Sequence, residues 1–245
     1  MKNIVFFTGS GISAESGIQT FREAGAGLWE NFRIEEVCTH EAILMDRPKV
    51  VRFYNDMRRQ MLTKQPNVGH KAIAEMQNSA DLNGKYRVQV VTQNVDDLHE
   101  RAGSTGVVHL HGEIMKLRSS RDERAAIGLT ERPDLFRDGW EQRLDDCHPD
   151  GSLLRPFIVF FGEGVPEFER AIEVAQEADV FVVVGSSLVV YPAASLLDYV
   201  RPEVPIFVVD PGEPSLGQYA GRVHLLRKPA SVGIPEVIET IMQMA

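Results

Sequence analysis

The sequence predicts an α/β fold, a doubly wound parallel sheet of Rossmann-like type, and three observations carry that expectation. The first is Asn3–Phe7, an apolar run that passes through Thr8 into Gly9-Ser10-Gly11 and then a helix-compatible stretch. Strand, glycine turn and helix in that order open a nucleotide site. The second is a set of further apolar runs, Tyr86–Val91, Ala178–Gly185 and Pro205–Val209. Strands buried on both faces read as such near-continuous runs. The third is Phe168–Glu177, a helical stretch placed to cross over between two of them.

In the opening turn, Gly9 and Gly11 remove side chains where a phosphate-bearing backbone must approach, and the following helix aims unpaired N–H groups at the anion. A dinucleotide is the expected ligand. A standard dehydrogenase also needs an acidic residue at the end of a second strand, about 20 residues on, to hold the ribose. Glu30 lies near that distance, but no strand precedes it. Gln19–Trp29 is instead a loop with three glycines, one arginine and two aromatics, a make-up suited to folding over a ligand.

Ile34–Met45 and Pro48–Thr63 read as two helices of an inserted lobe spanning 31–70, and Pro66–His70 as a turn before a helix from His70 to Met76. Tyr86–Val91 runs into Thr92-Gln93-Asn94-Val95-Asp96, polar groups at the carboxyl end of a buried strand, where doubly wound folds bind ligands. Val107–Gly112 reads as a short strand with His109 and His111 on one face. With Glu113 beside them, a metal is one reading of these histidines. Gly185-Ser186-Ser187 ends the next buried strand, Tyr191–Ala194 starts a helix, and Pro205–Val209 ends at Asp210.

At 245 residues with 43% hydrophobic content the chain suits one domain with a real core. The net charge of −9 disfavours nucleic acid and suits a basic, lysine-bearing peptide. No apolar run reaches bilayer length and the first residues enter a core strand, so neither a membrane span nor a secretory signal is expected. Two distant cysteines, Cys38 and Cys147, fit a reducing compartment. The chain reads as cytoplasmic.

Gly9–Ile18 followed by Thr20-Phe21-Arg22 and Gly27-Leu28-Trp29 resembles the opening motif of the sirtuins, NAD-dependent protein-lysine deacylases. Thr92–Asp96, His109-Leu110-His111-Gly112, Phe160-Phe161-Gly162-Glu163 after Leu154-Arg155-Pro156, and Gly185–Leu188 match further motifs in the right order, so the likeness spans nearly the whole chain and is nearest the bacterial class III type. It implies that NAD is consumed as a co-substrate, held by Gly9, Ser10, Gly11, Ile12, Ser13, Gly17, Phe21, Arg22, Trp29, Gln93, Asn94, Val95, Asp96, Gly185, Ser186, Ser187, Asp210 and Ala230. His111 is implied as general base toward the ribose hydroxyls, a task that suits an imidazole with a pKa of roughly 6.5. Asn94 joins it in the catalytic set. His109 and His70 are implied as structural.

The resemblance also implies that Val159, Phe160, Phe161, Gly162 and Glu163 bind the acyl-lysine peptide, which adds as a strand to an open backbone edge. Members preferring succinyl groups carry a tyrosine and, three residues later, an arginine for the acyl carboxylate. Here Tyr54 matches, but Met57 replaces the arginine and removes the bidentate contact that selects a carboxylate. Arg58 is about 100° further round the helix. Neutral acyl groups are therefore expected over succinyl or malonyl.

The stretch 116–152 departs most from the family. Its usual zinc module needs two Cys-x-x-Cys pairs, whereas the corresponding positions are Ser119, Asp122, Cys147 and Asp150. A mixed site of Asp122, Cys147, His148 and Asp150 stays open, but no metal is expected. Ile127, Leu129, Leu135, Phe136, Trp140 and Leu144 are the expected substitute core. Other readings of the whole are an NAD hydrolase or ADP-ribosyltransferase, which shares the cofactor residues, a non-enzymatic NAD sensor, which needs no His111, and an oxidoreductase, which needs the missing acidic strand end.

Overall fold

The computed structural model describes residues 1–19 and 33–244, side chains 80–83 excepted. Phe21, Arg22 and Trp29 lie outside the described residues. Two sheets organise the rest. Six parallel strands run in the order β3-β2-β1-β7-β8-β9, where β1 is Lys2–Thr8, β2 Tyr86–Thr92, β3 Val108–His109, β7 Val180–Val184, β8 Ile206–Val209 and β9 Val223–Leu226. The chain builds outward from β1 to β3, then returns to the other side of β1 and builds to β9. The order therefore reverses between β1 and β7, and ligands of such sheets bind outside the carboxyl ends at that switch point.

β1 and β7 are apolar on both faces because two separate cores flank them. Phe7, Phe181 and Val183 face one core with α7, Phe168–Gln176. Phe6, Val182 and Val90 face the other with α8, Ala230–Gln243, and with Ile73 of α5, Val68–Asn83. Among the described residues no helix is long and apolar enough to cross a membrane.

The connection after β1 differs from its sequence reading. The helix following the glycine turn, α1, is only Gly11–Ala14, too short to add up a useful dipole. Ile34–Met45 is two helices, α2 at Ile34–Val37 and α3 at His40–Met45. Thr39 separates them: it is extended, its hydroxyl caps α3 by accepting from Ala42 N at 3.1 Å, and it bridges to Phe161. α4, Arg47–Met61, opens with Asp46 capping Lys49 N and Pro48 in its first turn.

A three-stranded antiparallel sheet, β5-β4-β6, forms the base of the second lobe, with β4 at Gly112–Ser119, β5 at Ala126–Gly128 and β6 at Leu154–Ile158. β6 thus pairs with β4 rather than with the main sheet. The lobe's small core is Leu117, Leu135, Phe136 and Leu154, with Ile127 and Leu129 against it. Trp140 and Leu144 are not part of it: Arg59 lies over the Trp140 ring, and Leu144 is exposed. Tyr191–Ala194 leads into a 3-10 helix, Ala193–Tyr199, rather than an α-helix.

Candidate active site

A cavity of about 650 Å³ opens at the switch point. Its walls come from the ends of β1, β2 and β7, from one face of α4, and from the segment after β6. Of the expected NAD residues, Gly9, Ser10, Ser13, Gly17, Gln93, Asn94, Val95, Asp96, Gly185, Ser186 and Ser187 line it. Gly11, Ile12, Asp210 and Ala230 do not. Ile12 is a fully buried core side chain and Ala230 is buried in the first turn of α8. Asp210 is buried at the end of β8, where its Oδ1 accepts from Gly212 N at 2.7 Å.

The glycines have a reason the sequence did not show. A β-carbon on Gly9 would meet the Gly185 carbonyl oxygen at 2.8 Å, and one on Gly11 would meet Gly185 Cα at 2.6 Å. Real β-carbons do not come so close. The small residues let the ends of β1 and β7 cross in contact, and Gly185 takes the left-handed φ of +59° that suits glycine. Close crossing of two loops by itself requires glycine at these positions.

Behind the cavity a buried polar chain holds the tips of β1 and β2 together. Thr8 Oγ1 donates to Thr92 Oγ1 at 2.8 Å, and Thr92 Oγ1 accepts from Asn94 N at 3.1 Å. Ser13 Oγ donates to Asp96 Oδ2 at 2.9 Å and accepts from Asn94 Nδ2 at 3.1 Å. Burial pushes the Asp96 carboxyl up to about 6, in spite of the Leu98 N–H and Ser13 hydroxyl that favour its ionised form. His70 packs edge-on to His99 below this chain, and burial lowers the pKa of His70 to about 4.

The two histidines of the His-x-His stretch do not share a face. β3 ends at His109, the chain turns, and Gly112 resumes at φ +85°. His109 points inward, with Nδ1 3.0 Å from the Asn94 carbonyl and Nε2 2.9 Å from Glu100. Burial works against its charge, but the Glu100 carboxylate outweighs that and raises its pKa. His111 lines the cavity, with Nδ1 2.9 Å from the Gln93 carbonyl oxygen. A carbonyl only accepts, so Nδ1 carries the proton and Nε2 keeps its lone pair. Burial lowers the His111 pKa, opposed by the bond to Gln93. Gln93 itself is held by its Nε2, which donates to Ser186 Oγ at 2.8 Å.

Tyr54, Met57, Val159, Phe160, Phe161, Gly162 and Glu163 line the same cavity. Tyr54 is buried, its hydroxyl donating to Cys38 Sγ at 3.3 Å and its ring stacked on Phe160. Phe160 is buried and Phe161 is 44% exposed. Neither belongs to a strand, since β6 ends at Ile158. Part of the backbone edge expected for a peptide is already in use: Val159 N donates to His111 O, Phe160 N to Glu163 Oε2 and Phe161 N to Cys38 O. The Glu163 carboxylate is likewise committed inward, to Arg155 and Arg118.

Arg58 turns away from the cavity. It is fully buried between the lobes, with Nε donating to Ile114 O at 2.7 Å and Nη1 to Asn55 Oδ1 and Trp140 O. Burial without a carboxylate partner lowers its pKa to about 9.

Sequence reading missed Cys38, Gln60, Met61, Lys64 and Val190–Pro192, all of which line the cavity. Met61 and Lys64 continue the stripe of Tyr54 and Met57 at helical spacing, a signal that was available. Cys38 came with no such signal.

Where a zinc module was absent from the sequence, hydrogen bonds close the loops. Ser119 Oγ lies 2.6 Å from Asp150 Oδ2 and 2.8 Å from Ser152 Oγ, and it accepts from Arg121 N and Asp122 N. Cys147 Sγ donates to Asp145 O. Among the described residues no group of three or more His, Cys, Asp or Glu side chains is placed to hold a metal ion.

Residues 9–192 match the model of the Sir2 family. The chain is 46% identical over 242 residues to a Bacteroides thetaiotaomicron protein named NAD-dependent protein deacylase, an alignment covering 99% of each. It resembles a solved Sir2 homolog–NAD complex with a TM-score of 0.82 at 37% identity, covering 99% of this chain and 90% of the other. It also resembles the Sir2 chain of a p53 peptide–NAD complex, with a TM-score of 0.75 at 29% identity, covering 97% and 92%.

Proposed function

The chain belongs to the Sir2 family, and from that premise we propose how its residues carry out NAD-dependent removal of an acyl group from a protein lysine. The observation that supports the assignment most is the placing of His111: its Nδ1 is satisfied by Gln93, and its Nε2 is left for the cavity that Asn94, Asp96, Tyr54 and Phe160 also line.

NAD enters as a substrate. Asn94 and Asp96 hold its nicotinamide end, and the acyl-lysine side chain approaches between Tyr54, Met57 and Phe160. The acyl oxygen attacks the anomeric carbon of the ribose and nicotinamide leaves. His111 Nε2 then takes the proton from a ribose hydroxyl, whose oxygen bonds to the acyl carbon. Water completes the exchange, and lysine and O-acyl-ADP-ribose are released.

The acyl group is neutral. Met57 is 8% exposed and lies in an apolar cluster with Val37, Tyr54 and Phe160. Arg58, the residue after it, is committed to three oxygens elsewhere. A carboxylate-tipped acyl chain would lose its hydration there without the guanidinium that a bidentate contact needs at position 57. The second lobe, 116–152, works without zinc.

Incubating the protein with NAD and an acetyl-lysine peptide, and separately with NAD alone, tests the reading through nicotinamide release. Release that needs the peptide and yields O-acetyl-ADP-ribose supports it. Equal release without peptide would mark an NAD hydrolase.

A further inference from the structure

Glu163 lies on the wall of the cavity, yet its carboxylate does not serve the cavity. It accepts from Arg155 Nη1 at 2.6 Å and Nη2 at 3.1 Å, from Arg118 Nη2 at 3.4 Å and from the backbone N–H of Phe160 at 2.9 Å. His40 Nδ1 is 3.2 Å away on the solvent side. Burial would raise the Glu163 pKa, but the Arg155 bonds and the Phe160 N–H outweigh it and lower it.

Arg155 is only 3% exposed and comes from β6 of the second lobe, and its two terminal nitrogens both reach the Glu163 carboxylate. Its guanidinium carbon lies 3.9 Å from the centre of the Phe160 ring. Phe160 in turn stacks on Tyr54, centroids 5.7 Å apart. Glu163 N also donates to Phe160 O, which closes a turn over 160–163 from both ends. A planar, delocalised cation can hold a carboxylate on its edge and a ring on its face at the same time, which an ammonium cannot.

We propose that Arg155 and Glu163 are positioning residues for the acyl-lysine channel: the pair locks the 160–163 turn and clamps Phe160 against Tyr54, so that the second lobe sets the shape of the substrate wall. This rests on the deacylase reading for its substrate but not for its geometry. Neither residue touches the NAD side of the cavity formed by Gly9, Ser13, Gln93 and Asp96. Loss of the pair therefore weakens peptide binding and spares NAD binding.

The test uses Glu163→Gln, Glu163→Ala and the double variant Arg155→Met/Glu163→Gln. The double removes both charges, so it avoids stranding a buried guanidinium and keeps the test open if Glu163→Ala does not fold. Expected are a peptide KM raised about 10-fold or more in Glu163→Ala and in the double, a smaller rise in Glu163→Gln, which keeps the Phe160 N–H bond, and an NAD dissociation constant within about twofold of wild type. Hydrogen exchange gives a readout independent of turnover: the amides of Phe160, Phe161 and Glu163 lose protection in the double, while those of β1 and β7 keep it. Unchanged exchange at 160–163 overturns the proposal, as does a peptide KM that stays put or moves together with NAD affinity. If wild type fails to turn over acetyl peptide but the exchange pattern appears, the positioning stands and the deacylase reading falls.

Discussion

His111 Nδ1 lies 2.9 Å from the carbonyl oxygen of Gln93, and that single bond decides which ring nitrogen can act as a base. Burial lowers the pKa of the same imidazole. The neutral form is needed for proton removal, so activity falls as pH drops through a value below the ordinary histidine pKa of roughly 6.5. The acid limb of a kcat/KM profile is expected to lie below the ordinary histidine value of roughly 6.5. An acid limb centred above 7 would contradict this assignment.

Asp96 sets function against stability. Its folded carboxyl holds a proton up to about pH 6, whereas its ordinary pKa is 3.8. Ionising it therefore costs stability above pH 6, and the cost disappears below about pH 4. Asp96→Asn is expected to stabilise the protein at pH 7 by up to about 3 kcal/mol and to lower nicotinamide turnover sharply. Denaturant melts at pH 4 and pH 7 check the sign: the gain is present at 7 and absent at 4.

Met57→Arg is expected to shift acyl preference. Placed beside Tyr54, a guanidinium supplies the charge-assisted contact that a terminal carboxylate needs, worth about tenfold or more in kcat/KM for a succinyl over an acetyl peptide relative to wild type. Arg58→Ala is expected to leave that preference alone. It removes the hydrogen bonds to Ile114 O, Trp140 O and Asn55, so its effect is on stability, about 3 kcal/mol. Comparing the two variants on matched peptides checks both statements.

In the second lobe, purified protein is expected to contain far less than one zinc per chain, and chelator is expected to leave Tm unchanged. Ser119→Ala removes the acceptor for two backbone N–H groups and the partner of Asp150 and Ser152. A loss of about 1–3 kcal/mol is expected in denaturant melts. Those bonds hold the Asp150 carboxyl well below the usual range, so their contribution is present above about pH 4 and fades as the solution becomes strongly acidic.

The main sheet was legible because β1, β2, β7 and β8 are buried on both faces and spell that out in unbroken apolar runs. β3 was only partly so: two residues of pairing leave no periodicity, and the turn at Leu110-His111 that separates the two histidines depends on contacts with Gln93 and Asn94 far back in the chain. The break between α2 and α3 hinges on Thr39, whose bridge to Phe161 spans more than a hundred residues. In the site, polar residues at strand ends declared themselves. Asp210 did too, and the fold places it outside the cavity lining with its Oδ1 in a turn with Gly212. Glu163 read as a peptide contact and Arg155 only as part of a motif, and their pairing shows only once the fold sets them edge to edge.

The most direct measurement is the rate of NAD-dependent deacetylation by His111→Ala, with O-acetyl-ADP-ribose as the product followed. A fall of about 10²- to 10⁴-fold, with NAD and peptide still bound, is the expected result. Product formed at the wild-type rate without that imidazole would contradict the proposed role of His111.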